Sequence, residues 1–333
     1  MATIRDVATR AGVSVATVSH VMNGSRSVAA ETKARVLAAI AELHYRRDGI
    51  ARSLRRSRTG TIGALISDIT NPFFADLVKG IDDAVHDLPE RVNVILCNTE
   101  EDPAKESLYV DVLMEKRVDG LIVAPAGDNE ASFNALVELA FPLVFVDRSL
   151  AAVDADTVLV DNFGAATEVV RHLIARGHRR IAALKATLDA NSIAERVRGY
   201  ERAVADAGLA TGPELIVESA LSIEAAQQGG RRILDLDPLP DAVFCTNNFM
   251  TLGMMRAVNE RRLRCPEDVA IAGFDDFQWA DSFRPRITAV AQPGFEMGRE
   301  AARLLVARIQ KTLTGPAVHR ILDTTLIIRE SSG

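Results

Sequence analysis

The pattern of hydrophobic positions changes character near residue 60. Before that point, short segments place apolar residues at helical spacing, and in the first of them Ile4, Val7 and Ala8 share one face. After that point, short runs rich in Val and Ile alternate with longer amphipathic stretches of helical period. The sequence therefore predicts a small all-α head followed by a larger α/β body.

The head has the spacing of a helix-turn-helix motif. Thr3 can cap a first helix, and Gly12 can end it in a left-handed conformation. Ser14 can then cap a second helix over residues 15–23, which leaves only about three residues between the two helices. A third helix is expected over residues 31–43. Its apolar side chains are expected to point inward: Val36, Leu37, Ile40 and Leu43.

The outward face of the second helix fits a nucleic-acid partner. Its side chains are small or able to hydrogen-bond: Ala16, Thr17, His20 and Asn23. Such a face can approach base edges in a major groove about 12 Å wide. Basic side chains around it can neutralise phosphates: Arg5, Arg10, Arg26, Lys33 and Arg35. The alternative is a small helical bundle with an ordinary basic surface.

The charge of the chain is polarised between head and body. The formal net charge of the 333 residues is −6, which by itself argues against a polyanionic partner. Residues 1–60, however, carry 11 basic and 4 acidic side chains, a balance of +7. The remaining residues carry 28 basic and 41 acidic side chains, a balance of −13. This asymmetry predicts that only the head binds a polyanion.

The body has the pattern of two α/β lobes. Strands are predicted in two sets, residues 62–67, 92–97, 120–124, 143–146 and 158–160, then residues 180–184, 215–217, 242–245 and 269–273. Helices are predicted between them, for example over residues 73–86, 105–116, 163–176 and 195–207. Fully apolar strands that alternate with helices indicate parallel sheets covered on both faces. Two such sets predict two lobes.

Polar residues recur where the predicted strands end. Neither the glycine-rich turn of a dinucleotide fold nor a P-loop follows the first strand. Carboxylates, amides and one guanidinium follow the strands instead: Asp68, Asn71, Asp147, Arg148, Asp161, Asn247, Asn248, Asp275 and Asp276. Ligands of open α/β sheets bind at this edge, so the set suits a hydroxyl-rich ligand, with Phe73, Phe74 and Trp279 as flat apolar faces. Taken singly, each aspartate could equally cap a helix.

Composition disfavours several other classes of protein. Three scattered cysteines form neither a disulfide framework nor a zinc site, and six histidines show no metal-ligand spacing. No run of about 18 apolar residues and no secretory signal is found, which favours a cytoplasmic protein without a membrane partner. We expect no catalytic residue, no metal and no cofactor. A sugar-modifying enzyme and a plain solute receptor are the rival interpretations.

The head carries a specific resemblance. The segment Thr3-Ile-Arg-Asp-Val-Ala-Thr-Arg-Ala-Gly-Val-Ser14, followed by Val-Ala-Thr-Val-Ser-His-Val-Met-Asn-Gly24, resembles the lactose/galactose repressor family, nearest to its purine-repressor branch. The resemblance implies that Ala16, Thr17 and His20 read bases. It also implies a hinge helix that folds only on DNA, in which Leu54 wedges into the minor groove. The alternative is that Leu54 packs on the body.

The resemblance and the helical pattern together define the predicted DNA contacts. They are Ser14, Val15, Ala16, Thr17, His20, Asn23, Arg26, Ala51, Arg52 and Leu54.

The body extends the resemblance to nearly the whole chain. Characteristic segments include Asp68-Ile-Thr-Asn-Pro-Phe-Phe74, Val146-Asp-Arg148 and Gly273-Phe-Asp-Asp276. The body is similar to periplasmic sugar-binding proteins, which implies three crossovers between the lobes, near residues 162, 291 and 322. The segments Thr246-Asn-Asn-Phe-Met-Thr-Leu-Gly253 and Phe274-Asp-Asp-Phe-Gln-Trp-Ala280 look most like regulators of gluconate and ketogluconate use. The implied domains are a helix-turn-helix domain of residues 1–46, a hinge of residues 47–60, an N-terminal lobe of residues 61–162 with 291–321, and a C-terminal lobe of residues 163–290 with 322–333.

The implied effector cleft lies between the lobes. Its predicted residues are Asp68, Phe73, Phe74, Asp147, Arg148, Ser192, Arg196, Leu221, Asn248 and Asp275. Ala190 and Leu221 stand where the purine branch has an arginine and an aromatic residue, which argues against a nucleobase. A guanidinium can bind a carboxylate or vicinal hydroxyls with two parallel hydrogen bonds. The expected effector is a sugar or a sugar acid.

The resemblance implies a transcriptional regulator of the repressor type. Such a protein binds a pseudo-palindromic operator in double-stranded DNA as a homodimer, because two-fold protein symmetry mirrors operator symmetry. The effector changes the separation of the paired N-terminal lobes and thereby decides whether the hinge helices order on DNA. The chain shows no heptads after its final predicted strand, residues 325–329, so no zipper-built tetramer is expected.

Deletion of residues 1–58 distinguishes a regulator from a solute receptor. A regulator loses DNA binding, because the basic head is gone, and keeps ligand binding. Mobility-shift assays measure the first property and calorimetry the second. Truncated protein that still binds DNA as the full chain does contradicts the regulator interpretation.

Overall fold

The computed structural model describes residues 2–23, 26–45, 58–89, 91–127, 129–188 and 190–333. The chain divides into two compact units, Met1–Thr59 and Gly60–Gly333. The described part of the first unit is helical, and the second contains two β-sheets covered by helices. This is the fold class that the hydrophobic pattern predicts.

The described part of the head contains three helices, α1 (Ile4–Ala11), α2 (Val15–Asn23) and α3 (Ala30–Glu42). Helix α1 begins with a capping box, because Thr3 Oγ1 accepts a hydrogen bond from the Asp6 amide while the Asp6 carboxylate accepts one from the Thr3 amide at 2.7 Å. Gly12 ends α1 with φ +63°, in the left-handed region. At the start of α2, Ser14 Oγ accepts a hydrogen bond from the Thr17 amide at 3.1 Å. The predicted helix-turn-helix spacing is confirmed.

Small apolar side chains form the core of the head. They are at most 5% exposed: Val7, Ala8, Ala11, Val18, Val36 and Ala39. The prediction that Leu37 points inward is wrong, since this residue is 50% exposed. Each helical residue turns the chain by about 100°, so Leu37 lies off the face shared by Val36 and Ala39.

The described residues of the body form two six-stranded sheets. The first has the order β11-β5-β4-β3-β1-β2, with strands β1 (Thr61–Ile66), β2 (Asn93–Asn98), β3 (Leu121–Val123), β4 (Leu143–Val146), β5 (Asp156–Val160) and β11 (His319–Leu322). The second has the order β12-β10-β9-β8-β6-β7, with strands β6 (Ile181–Ala186), β7 (Ile216–Ser219), β8 (Ala242–Cys245), β9 (Ala270–Phe274), β10 (Thr288–Ala291) and β12 (Thr325–Ile327). All neighbouring strands are parallel except β12, which pairs with β10 antiparallel.

Helices cover both faces of each sheet. They are α4 (Pro72–His86), α5 (Pro103–Glu115), α6 (Glu130–Glu138), α7 (Asn162–Ala175), α8 (Asn191–Asp206), α9 (Ile223–Leu234), α10 (Asn248–Glu260) and α11 (Gly294–Gln310). Strand β1 shows how the faces divide, because Ile62, Ala64 and Ile66 pack with α4 and α11 whereas Leu65 packs with α5 and α6. Likewise, Ala182 and Leu184 of β6 belong to the cluster formed with α9 and α10.

The two sheets are interleaved along the chain. After β5 the chain leaves the first sheet for α7, whose apolar face packs on the second sheet. After β10 it returns through α11, which packs on α4. The final crossing joins β11 of the first sheet to β12 of the second. One edge strand of each sheet, β11 in the first and β12 in the second, therefore comes from late in the chain.

The nine strands predicted for the two sets are present within two residues at each end. Strands β10 and β11 were not predicted. Strand β11 offers no apolar run, because its residues His319, Arg320 and Ile321 are exposed and only Leu322 is half-buried. Pairing with β5 rather than hydrophobic content makes this segment a strand.

Contact between α4 and α11 depends on two glycines. A Cβ added to Gly80 would lie 1.9 Å from the Phe295 carbonyl oxygen, and one added to Gly298 would lie 2.0 Å from the Leu77 carbonyl oxygen. Both close atoms belong to backbone, which cannot move aside without shifting a helix. The return of α11 onto the first sheet therefore requires glycine at both positions.

We expect Gly80→Ala and Gly298→Ala to destabilise the protein by about 1–3 kcal/mol each, because the added methyl group forces the helices apart. At a helix position that makes no such close contact between helices, alanine would instead stabilise the protein by about 1 kcal/mol relative to glycine. Thermal and urea unfolding of the full chain measure the change. Asp82→Ala, an exposed change on α4, is the control and should stay within about 0.5 kcal/mol of the parent protein. A neutral or stabilising effect at both glycines contradicts this account.

Candidate functional site

A cavity that is partly open to solvent lies in the body where the carboxyl ends of the strands of both sheets converge. Its lining comes from segments that follow β1, β2, β4, β6, β7, β8 and β9. The lining residues are Asn71, Phe73, Phe74, Glu101, Asp147, Arg148, Leu188, Ser192, Ile193, Arg196, Leu221, Asn247 and Asp275. This is the edge at which open α/β sheets bind ligands.

The start of α4 supplies the apolar wall. Asn71 caps the helix, because its Oδ1 accepts a hydrogen bond from the Phe73 amide at 3.1 Å, and Pro72 occupies the first helical position. The Phe73 and Phe74 rings meet edge to face with centroids 5.0 Å apart. Both residues are buried, so the cap fixes the direction of two aromatic faces beside the cavity.

The first lobe contributes a buried ionic cluster. Arg148 Nε donates to Asp147 at 3.0 Å, and Arg148 Nη1 and Nη2 donate to the two Glu101 oxygens at 2.9 and 3.1 Å. Arg148 Nη2 also donates to Ser67 Oγ at 3.3 Å. Burial by itself lowers the pKa of Arg148, but Glu101 and Asp147 raise it above its ordinary value. The Arg148 guanidinium group is therefore hydrogen-bonded to two carboxylates.

The second lobe contributes a second charged pair. Arg196 Nη1 lies 3.4 Å from Asp275 Oδ2 and 2.9 Å from the Thr246 carbonyl oxygen, while Arg196 Nε donates to Asn162 Oδ1 at 2.8 Å. The Arg196 guanidinium also stacks 3.7 Å from the centre of the Phe274 ring. These contacts hold Arg196, which is only 3% exposed, in one orientation.

Asp147 and Asp275 adopt the same left-handed value of φ at the ends of two different strands. Asp147 directly follows β4 with φ +69°, and Asp275 directly follows β9 with φ +68°. Strands β4 and β9 hold the same position in their two sheets. Because only glycine, asparagine and aspartate adopt this conformation readily, the turn favours aspartate. Each lobe thus presents one carboxylate at the equivalent point of the cavity wall.

Amide side chains join the lobes beside the cavity. Asn248 Nδ2 donates to Asn71 Oδ1 at 2.8 Å, and Asn191 Nδ2 donates to Ser149 Oγ at 3.1 Å. Among the residues the structure describes, the buried atoms Thr246 Oγ1 and Asn248 Oδ1 have no hydrogen-bond partner. Buried polar atoms without partners are uncommon in folded proteins, so these two are candidates for water or ligand contacts.

Most of the predicted effector residues come together at this cavity. Eight of the ten line it: Phe73, Phe74, Asp147, Arg148, Ser192, Arg196, Leu221 and Asp275. Asp68 instead closes a turn, accepting hydrogen bonds from the Thr70 amide and hydroxyl at 2.8 and 2.7 Å. Asn248 adjoins the cavity through its bond to Asn71. Trp279 is half exposed and is not part of the lining.

The helix-cap alternative holds for three of the strand-end residues. Asn71, Asp161 and Asn247 each accept a hydrogen bond from a backbone amide in the first turn of a helix. Helix α8 differs, because Ala190 stands at its cap position and supplies no side-chain hydrogen bond. The amides at this helix start are therefore open to another acceptor.

The predicted effector residues leave out five lining residues: Asn71, Glu101, Leu188, Ile193 and Asn247. Asn71 and Asn247 were indicated only as polar residues at strand ends. Glu101 had a weak signal, because it is a carboxylate three residues beyond the end of β2, whereas Asp147 directly follows β4. Leu188 and Ile193 had none, since apolar residues next to a strand are expected in any core.

The predicted DNA contacts are described only in part. Ser14, Val15 and Ala16 are exposed at the start of α2, whereas Thr17 and His20 are half-buried. Arg26 is exposed, and Arg10 pairs with Glu42, to which its Nε and Nη2 donate at 3.0 and 2.8 Å. The remaining predicted contacts lie outside the described residues or side chains: Asn23, Ala51, Arg52 and Leu54.

In the described part of the chain, no helix combines the length and apolar character needed to cross a membrane. The same residues contain no group of three or more His, Cys, Asp or Glu side chains arranged to hold a metal ion.

Both units match known families. Residues 3–48 match the family described as bacterial regulatory proteins, lacI family, and residues 59–330 match periplasmic binding proteins and sugar binding domain of LacI family. Fold and site together define a transcriptional regulator that combines a DNA-binding helix-turn-helix head with a two-lobed effector-binding body. The chain belongs to the lacI family of bacterial regulatory proteins. The resemblance to lactose/galactose repressors is thereby confirmed.

Individual relatives agree with this assignment. The HTH-type transcriptional repressor PurR of Haemophilus influenzae (strain PittEE) is 35% identical over 336 residues, covering 99% of this chain and 98% of the relative. PurR of Aliivibrio fischeri (strain MJ11) is 37% identical over 313 residues, covering 93% and 92%.

Solved structures are similar over the same length. The transcriptional regulator CelR–cellobiose complex has a TM-score of 0.76 at 32% identity, covering 99% of this chain and 100% of that chain. The lac repressor dimer bound to operator and the anti-inducer ONPF has a TM-score of 0.88 at 25% identity, covering 99% of each chain.

The cavity gives the protein a predictable pH response. Burial raises the pKa of Asp275, against the opposing effects of Arg196 and Gln292. The folded state therefore keeps this proton to a higher pH than the unfolded state, and the stability linked to Asp275 falls as pH rises above about 4. Asp275→Asn cannot ionise, so the unfolding free energy of the parent minus that of the variant should decrease as pH rises from about 4 to 6. Urea unfolding at each pH measures this difference.

Asp206→Asn is a control of opposite sign. Hydrogen bonds from Arg202 and Arg171 lower the pKa of Asp206, so the stability linked to this group is lost as pH falls below about 4. The parent-minus-variant difference for Asp206→Asn should therefore increase with pH over this lower range. A difference for Asp275→Asn that also increases with pH contradicts the prediction.

Proposed function

We propose that this protein is a repressor that binds a pseudo-palindromic operator as a homodimer and that a sugar or sugar acid, bound in the cavity between its lobes, controls operator affinity. The observation that carries the proposal is the cavity itself, where carboxylates, guanidinium groups and amides from both sheets face one space. Operator binding of this kind requires a regulator that shares the compartment of the DNA, which is the bacterial cytoplasm.

The DNA contacts divide between the head and the hinge. The exposed residues Ser14, Val15 and Ala16 enter the major groove with Thr17 and His20 beside them, and Arg26 contacts phosphate. Residues 1–46 form the DNA-binding domain and residues 47–60 the hinge, in which Ala51, Arg52 and Leu54 contact the minor groove. The TM-score of 0.88 with the operator-bound lac repressor dimer supports this arrangement.

The lining of the cavity suits a polyhydroxyl ligand. Asp147 and Asp275 can accept hydrogen bonds from hydroxyls, and Arg196 can donate to them. Phe73 and Phe74 supply an apolar face for the C–H side of a sugar ring. Leu221 contributes an aliphatic rather than an aromatic face to the lining, and an aliphatic face suits a flat nucleobase less well. CelR, a relative in structure, was solved with cellobiose, which supports a carbohydrate effector.

Effector binding is coupled to DNA binding through the lobes. The N-terminal lobe comprises residues 61–162 with 291–321, and the C-terminal lobe comprises residues 163–290 with 322–333. A ligand that binds Asp147 on one lobe and Asp275 on the other changes how the lobes close, which moves the paired N-terminal lobes of the dimer. A coupling of about 1–3 kcal/mol is typical of allosteric proteins and suffices to change operator occupancy.

Catalysis is not part of this function. The adjacent carboxylates Asp275 and Asp276 do not act as an acid–base pair, because Asp275 contacts Arg196 whereas Asp276 accepts hydrogen bonds from Arg329 at 2.8 and 2.9 Å. All the relatives described above are named as regulators rather than as enzymes.

Footprinting on the DNA beside the protein's own gene tests the proposal. We expect protection of a near-palindromic site whose occupancy changes when the effector is added, and calorimetry against neutral sugars, sugar acids and purines identifies the effector class. Purified protein that ignores every duplex at low ionic strength, whatever small molecule is present, contradicts the proposed operator binding. Binding of purines alone contradicts the proposed effector class.

Two substitutions separate base contacts from phosphate contacts. His20→Ala should relax discrimination at one base position by about 1–3 kcal/mol, because a base contact is lost. Arg26→Ala should weaken binding to all sequences alike and reduce the slope of log affinity against log salt by about 1. Anisotropy titrations on operator variants measure both effects. Lys79→Ala, which removes an exposed charge from the body, is the control, and an equal loss for it would contradict a local role of Arg26.

A further inference from the structure

Glu101 stands out among the cavity residues, because no feature of the proposed ligand explains it. Its carboxyl group is the third in a cavity that holds only two guanidinium groups, those of Arg148 and Arg196. The Glu101 side chain is 14% exposed, and the Arg148 side chain against which it lies is 7% exposed. The pair is therefore part of the cavity wall rather than a surface ion pair.

The geometry of the pair is bidentate. Arg148 Nη1 and Nη2 lie 2.9 and 3.1 Å from the two Glu101 oxygens, the arrangement of two parallel hydrogen bonds that a guanidinium also forms with a ligand carboxylate. Arg148 Nε is occupied by Asp147 and its Nη2 is shared with Ser67. The fork that would bind a carboxylate effector is thus filled by a side chain of the protein itself.

We propose that Glu101 is a specificity-determining residue that occupies the guanidinium fork of Arg148 and makes the effector cavity select uncharged, hydroxyl-rich ligands over carboxylates. This inference rests on the proposed function, within which it favours the neutral sugar over the sugar acid. A carboxylate effector that binds the Arg148 fork has to displace Glu101. The displaced Glu101 carboxylate is then buried near Asp147 without its guanidinium partner, which is unfavourable. A hydroxyl donates to Asp147 and requires no such displacement.

The neighbouring residue provides a matched control. Glu100 and Glu101 both have φ +57°, so both residues lie in the left-handed region of φ. The Glu100 carboxylate, however, is 66% exposed and pairs with Lys105 at 3.0 Å rather than with the cavity. The same substitution at position 100 therefore changes the charge of the chain equally and leaves Arg148 paired.

The first experiment needs no knowledge of the effector. Glu101→Ala and Glu100→Ala are melted as full chains in sodium acetate and in sodium chloride at equal ionic strength. We expect acetate to raise the melting temperature of Glu101→Ala by about 2 °C or more relative to chloride, because acetate replaces the missing carboxylate on Arg148. The parent protein and Glu100→Ala should show no acetate-specific rise. Absence of the rise in Glu101→Ala overturns the proposal, since Arg148 is then not available to an outside carboxylate.

The second experiment measures effector charge selectivity. Calorimetry compares pairs that differ in charge at one carbon, such as glucose with gluconate and ribose with ribonate, on the parent, Glu101→Gln and Glu100→Gln. The parent should favour the neutral member, and Glu101→Gln should shift the ratio of affinities toward the acid by about tenfold, as expected for one charged hydrogen bond. Glu100→Gln should leave the ratio unchanged.

The outcomes separate the two proposals. A parent protein that prefers the acid, or a ratio that is the same in Glu101→Gln and the parent, overturns the role of Glu101. If neither member of any pair binds any variant, the proposed sugar effector is wrong, and the acetate experiment alone then decides whether Glu101 controls access to Arg148.

Discussion

Compensation between buried carboxylates and guanidinium groups is the constraint on which the effector cavity depends. Moving an isolated charge from water into a protein interior is strongly unfavourable unless it is paired and hydrogen-bonded. Arg148 meets this condition with Asp147 and Glu101, and Arg196 meets it with Asp275, Asn162 and the Thr246 carbonyl. Charged groups can therefore line an enclosed space and still present oxygen atoms to a ligand. The left-handed turn after β4 and after β9 supplies the aspartate of each pair at the same place in its lobe.

The position of these pairs explains how a small ligand can act on the whole body. Each sheet ends at the cavity, so a contact made to Asp147 and one made to Asp275 bear on different lobes. The bonds between Asn71 and Asn248 and between Asn191 and Ser149 already connect the lobes beside the ligand space. Asn71 has a double role, since the same oxygen also caps α4. The contact between the lobes and the start of α4 therefore share one oxygen atom.

Membership of the lacI family accounts for the combination of a basic head with an acidic, sugar-receptor-like body, a combination that the net charge of −6 conceals. The relatives share the architecture over nearly the full length of the chain. Beside the cavity, Ala190 leaves the start of α8 without a side-chain cap, and Leu221 contributes an aliphatic face to the lining. Fold and function class are therefore shared, whereas ligand choice depends on a few side chains.

The sequence by itself determined the elements and their class, because helical and strand periods, caps such as Thr3 and Ser14, and turn residues such as Gly12 act over a few neighbouring positions. It also indicated most of the cavity, since residues that follow parallel strands must meet at one edge. Tertiary structure alone decided what those residues do there. Strand β11 forms because it pairs with the edge of β5. Asp68 accepts a hydrogen bond from Thr70, and Glu101 accepts one from Arg148, which is 47 residues away in the sequence. Pairing of this kind depends on distances between segments remote in sequence, which no local pattern of residues encodes.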